Sequence, residues 1–300
     1  MPERERPGKE FVSAIELETI SIVRQGLNFM SRSRFADAEA KLRQGQYLYP
    51  EASSIRINLA EALKGLGNFG EAIEIYRQLL RTDPDSVQLL AGLARVYLAA
   101  GDVDNAVTAY EEAFELAIRG DEPERAAGLA RSLATLYFGL GQEEEALCYS
   151  QRAVEYQPAR MQTLRHIRLL TAIGLMEQAD QTISDFVTEQ PGMRDAEVLW
   201  QMALIHAGKG DFEQAAGLID EARDKTRRRV APSLEMELFD RVVRFKLNPE
   251  TAVLADEKTS VMEDSVLFSF DLDELDTLNT LYWPATVVQA LMQFVVAHKA

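Results

Sequence analysis

The sequence predicts an all-α solenoid of about six helix-turn-helix units, and three observations carry that prediction. Ala38, Ala72, Ala106, Ala146, Ala179 and Ala215 recur at separations of 34, 34, 40, 33 and 36 residues. A glycine lies in the turn before most of them: Gly67, Gly101, Gly141, Gly174 and Gly210. Prolines at 50, 84, 158 and 191 close several of the units. Self-similarity on this scale marks stacked helix pairs that bury a continuous core only by packing on their neighbours.

The stretch from Ala91 to Ala126 shows why these residue types recur. Leu93, Ala94 and Tyr97 form an apolar stripe on a first helix ending near Ala100, and Ala106, Tyr110 and Ala113 form another on a second helix. Alanine at the crossing lets the two helices approach closely. Glycine supplies positive φ in the tight turn between them. Proline ends the second helix, because it cannot continue the hydrogen-bond ladder.

In chain order, residues 1–9 are polar and are expected to form a mobile tail. A solenoid over 10–226 follows, with units near 19–52, 53–86, 87–126, 127–159, 160–195 and 196–226. The long interval places about six extra residues around 118–123, predicting a longer second helix or a wider loop in the third unit. Residues 227–300 break the period. They read as capping helices near 233–247 and 285–297, flanking an acidic linker at 249–276. Between Asp256 and Asp276 that linker has eight acidic residues against Lys258 alone.

Composition narrows the function. A net charge of −16 opposes nucleic acid and anionic lipid, whose phosphates would repel the chain. Cys148 is the sole cysteine, so neither an internal disulfide nor a multi-cysteine zinc site can form, and a packed thiol is expected. His166, His206 and His298 are scattered, without metal-ligand spacing. No catalytic, cofactor or metal site is expected. Without a secretory signal or a run of apolar residues long enough to span a bilayer, the chain is expected in the cytoplasm.

The phrases NLAEALKGLGNFGEAIEIYRQLLRTDP (58–84), GLARVYLAAGDVDNAVTAYEEAF (92–114) and SLATLYFGLGQEEEALCYSQRAVEYQP (132–158) resemble the tetratricopeptide repeat (TPR) family. The copy at 25–50 has Ser33 where the turn glycine would stand, and the fifth has His166-Ile167 where a large residue followed by a small one is usual. The resemblance implies a right-handed superhelix whose first helices line a concave groove. It also implies a non-catalytic scaffold or adaptor holding an extended or helical protein segment. Residues beside the packing stripes should face the groove, among them Leu164, Thr171 and the partner-binding candidates Arg95, Arg131, Phe138, Arg165, Arg168 and Trp200. Clustered arginine favours an acidic partner, because its planar fork binds carboxylates bidentately. Val23, Leu27, Ile57 and Glu61 occupy the positions of the family's carboxylate clamp and depart from its Lys/Asn pattern. The alternative is an assembly or secretion chaperone, or a regulatory subunit, whose acidic tail, Glu263–Asp276, gates the groove. The C-terminal region is also a candidate contact between copies.

Overall fold

The computed structural model describes residues 14–226, 234–248 and 283–299, and the acidic linker lies outside them. Among the described residues there are fourteen α-helices and no strand. They are α1 (Ala14–Met30), α2 (Phe35–Leu48), α3 (Ser53–Gly65), α4 (Phe69–Thr82), α5 (Val87–Ala99), α6 (Val103–Arg119) and α7 (Pro123–Gly139). There follow α8 (Glu143–Tyr156), α9 (Arg160–Ile173), α10 (Met176–Glu189), α11 (Ala196–Gly208), α12 (Phe212–Thr226), α13 (Leu234–Leu247) and α14 (Ala285–Lys299). The chain forms two compact units, Met1–Leu133 and Ala134–Ala300.

In the first unit each helix from α1 to α5 packs on the next in sequence, and α3 also packs on both α1 and α5. The first helices α1, α3 and α5 therefore adjoin in one layer. The crossing alanines explain the closeness of the pairs: Ala38, Ala72 and Ala106 are wholly inaccessible, as are Leu59, Leu63 and Phe114. Tyr76 of α4 packs closely against Gly92 of α5. A Cβ at Gly92 would lie 2.4 Å from the Tyr76 ring.

The turns obey one geometry. After α5, Gly101 has φ 78°, its N–H donates to the Leu98 carbonyl, and the Asp102 N–H reaches Tyr97. Asp102 then caps α6 by accepting from the Asn105 N–H at 3.4 Å. Ser33 makes the same turn after α1 with φ 57°, a conformation disfavoured by its Cβ. Ser33→Gly is thus expected to stabilise the first unit by about 1 kcal/mol in chemical denaturation.

The extra residues of the third repeat enter helices rather than an open loop. α6 and α7 each run 17 residues, against 14 and 13 in α4 and α5. The break then closes with the same left-handed turn, at Asp121 with φ 53°.

In the second unit α9 packs on α11, and α11 on α10 and α12. Ala146, Ala179 and Ala215 are wholly buried. Arg160, at the start of α9, joins the layer by bonding Glu197 and Asp195 at the start of α11, each at 2.7 Å. α13 packs on α12, and α14 on both α13 and α11. Their apolar side chains Phe239, Val242, Val287, Leu291 and Phe294 join Leu199, Ala203 and Ile219 in one cluster. Asp240, 3% exposed, fixes this packing by pairing with Arg223 of α12 at 2.5 Å and Arg244 at 2.9 Å.

Candidate functional site

Arg95 in the first unit and Arg165 in the second, placed on one surface by the sequence reading, stand in very different surroundings. Arg95 on α5 donates to Glu61 on α3 at 3.1 Å. Glu61 also accepts from Lys64 at 2.5 Å and from the Tyr76 hydroxyl at 2.9 Å. Burial works against the Glu61 charge, yet the Lys64 bond, the Arg95 and Lys64 charges and the tyrosine hydroxyl hold its carboxyl below the usual range. Burial opposes the Arg95 charge too, and Glu61 outweighs it, raising the guanidinium pKa. Tyr76 is pushed up, first by burial and then by Glu61. Much of the Arg95 charge is therefore compensated by Glu61, although the arginine itself is exposed. Arg131 on α7 is exposed in the same unit.

In the second unit Phe138 on α7 is half-buried. Arg165 and Arg168, one turn apart on α9, are exposed and half-buried respectively. Arg165 makes no side-chain hydrogen bond or ion pair among the described residues, so its charge remains open to a ligand.

Three expected groove positions are corrected. Trp200 is 5% exposed, Leu164 2% and Thr171 1%. Thr171 turns its hydroxyl to the Ile167 carbonyl at 2.8 Å. Leu164 packs with Ile183 and Phe186. Trp200 is covered from beyond the repeats: Phe239 of α13 lies 5.7 Å away, ring centre to ring centre, and Trp283 lies 5.7 Å from Phe239. The expected packed thiol is corrected as well, because Cys148 is exposed.

Trp200 nevertheless borders an opening in the second unit. A cleft of about 70 Å³ is lined by Arg168, Glu197, Trp200, Gln201, Leu204, Met236, Phe239 and Trp283. Glu197 is engaged by Arg160, and Arg168 borders the cleft beside it. Gln201 is 5% exposed, and nothing among the described residues donates to its Oε1. Sequence reasoning missed Gln201, Met236, Phe239 and Trp283. Gln201 adjoins Trp200 on a recognised first helix, but the others fall outside the period and no spacing joins them to it.

His166 is structural. It is 8% exposed, and its Nδ1 lies 3.0 Å from the Ser150 hydroxyl. Burial lowers its pKa, so the folded state resists a proton that the unfolded state accepts. Stability from the neutral ring is complete above the unfolded value near 6.5 and falls as pH drops below it. The loss reaches up to about 1.4 kcal/mol per pH unit until the folded value is reached. Acid titration of wild type beside His166→Gln is expected to show this slope only in the wild type. No group of three or more His, Cys, Asp or Glu side chains among the described residues could hold a metal. No helix among them is long and apolar enough to cross a membrane.

Comparison with known proteins agrees with this architecture. The tetratricopeptide repeat family pattern matches residues 23–87, 57–123 and 91–160. The chain is a tetratricopeptide repeat protein, a class built on protein–protein contacts. It is similar to cellulose synthase operon protein C of Xanthomonas axonopodis pv. citri (strain 306), 27% identical over 177 residues, or 54% of this chain and 11% of that protein. It is also similar to the TPR repeat-containing protein YpiA of Bacillus subtilis (strain 168), 25% identical over 57% of this chain and 38% of that one. The chain thus spans well under half of either relative. Among solved structures, a tetratricopeptide repeat protein from Parabacteroides merdae ATCC 43184 aligns with TM-score 0.58 and 16% identity, covering 93% of this chain and 99% of that one. Pseudomonas aeruginosa pilF aligns with TM-score 0.54 and 18% identity, covering 76% and 98%. These structural likenesses speak for the fold.

Proposed function

We propose that this chain is a non-catalytic scaffold or adaptor that holds an acidic, extended or helical partner segment against its first helices. The observation that carries the reading is Arg165: exposed, without an ion pair among the described residues, and one turn from Arg168 on a first helix. An extended segment laid along adjoining first helices would meet Arg165, Arg168 and Phe138 in the second unit. Arg131 and the partly compensated Arg95 are the corresponding groups in the first unit. Trp200 contributes only what its cleft exposes. Such binding should weaken with salt, since exposed charges are screened within about 10 Å at 0.1 M ionic strength. The cytoplasm is the expected setting. In the chaperone alternative, Glu263–Asp276 would fill the same surface, but that segment lies outside the described residues.

Selection of displayed random peptides against the immobilised chain tests the reading. Wild type is expected to enrich Asp- and Glu-rich peptides, and Arg165→Glu to bind them at least about tenfold more weakly, the scale of one charge-assisted contact. Enrichment without acidic bias, or equal binding by the variant, would refute the acidic partner.

A further inference from the structure

The cleft beside Trp200 has a chemical demand that the arginine surface does not meet. Its walls are aromatic and apolar: Trp200, Leu204, Met236, Phe239 and Trp283. Among them sits Gln201, more than nine-tenths buried, with an Oε1 that receives no hydrogen bond among the described residues. Buried amide oxygens are rarely left without a donor, because burial removes the water that would otherwise supply one. At about 70 Å³ the cleft is far smaller than the roughly 300 Å³ of a typical small-molecule pocket, and it accepts the end of a single side chain.

We propose that this cleft is a specificity pocket for a tyrosine of the bound partner segment, its ring against the aromatic walls and its hydroxyl on Gln201. This rests on the reading that the first helices bind a peptide. Side chains that are not aromatic hydrogen-bond donors fail one requirement each. Leucine, methionine and phenylalanine fill the walls and leave the amide orphaned. A carboxylate suits Arg168 but offers Gln201 Oε1 no proton. Lysine and arginine would bury a cation among largely apolar walls. Serine and threonine do not fill an aromatic cleft. A phenolic hydroxyl both donates and accepts, so it satisfies the amide even if Gln201 turns its end group over. The tyrosine ring in turn finds edge and face partners in Phe239 and the two indoles.

The site supplies its own signal, because both tryptophans of the chain, Trp200 and Trp283, line it. Tryptophan fluorescence of the full chain, excited where tyrosine does not absorb, is titrated with N-acetyltyrosinamide and, separately, N-acetylphenylalaninamide. The expected result is a saturable change with the tyrosine probe at about tenfold lower concentration than with the phenylalanine probe. Gln201→Leu should reduce that ratio to within about twofold while keeping a wild-type melting temperature, since it replaces an orphaned polar group with an apolar one of similar size. Arg165→Glu should leave the ratio unchanged. No saturable change, equal affinity of the two probes, or full discrimination in a folded Gln201→Leu variant would overturn the pocket. Acidic-peptide selection that succeeds while the tyrosine probe fails removes the pocket alone. Discrimination by the probes without acidic enrichment removes the arginine reading alone.

Discussion

Gly92→Ala is expected to destabilise the first unit by about 2 kcal/mol, although alanine is intrinsically the better helix former by about 1 kcal/mol. The added Cβ would stand 2.4 Å from Tyr76 Cε1 and 2.6 Å from its hydroxyl oxygen. Tyr76 cannot swing aside cheaply. It is wholly buried, and its hydroxyl holds Glu61, the residue that also anchors Arg95. Gly128→Ala makes the control, because a Cβ there meets nothing within 4 Å. On the interior of α7 that change is expected to stabilise by about 0.5–1 kcal/mol. Opposite signs for one substitution at two helical glycines would separate close helix packing from helix propensity. Urea denaturation of both variants measures it, and a stabilised Gly92→Ala would contradict the packing.

Phe239→Ala should cost the second unit about 3–5 kcal/mol, the usual range for deleting a buried phenylalanine ring. The ring is 1% exposed and lies between Trp200 and Trp283, at 5.7 Å from each. Its loss would open a cavity where the non-repeat helices cover the last repeat helices. Because both indoles flank the ring, thermal unfolding followed by tryptophan fluorescence should show a lower midpoint and a changed native signal. Unchanged stability would mean that α13 is not part of this core.

The fold was legible in the sequence because a repeat states its own frame. All six crossing alanines proved wholly buried, and the five turn glycines adopt positive φ. The same register hid a pairing that the sequence reading overlooked. Glu61 and Arg95 are 34 residues apart, one full period, so they occupy equivalent positions in neighbouring repeats and meet across the layer. Arg95 was therefore readable as one half of an ion pair between neighbouring repeats.

The cleft was not readable in this way. Gln201 is legible only as part of a first helix, while Met236, Phe239 and Trp283 come from outside the period, where no spacing rule fixes a neighbour. Trp200 looked like a groove residue because the repeat frame ends before the helices that bury it. Cys148 was expected to be packed from its apolar neighbours in sequence, yet the helix turns that position outward.

The central claim is that a partner segment lies on the first helices. Hydrogen exchange of the full chain, with and without a peptide selected as above, tests it most directly. New protection is predicted in the first helices, centred on α9 around Arg165 and on α11 around Gln201, with α8, α10 and α12 little changed. Protection confined to those second helices, or absent from α9 and α11 at saturating peptide, would contradict the account.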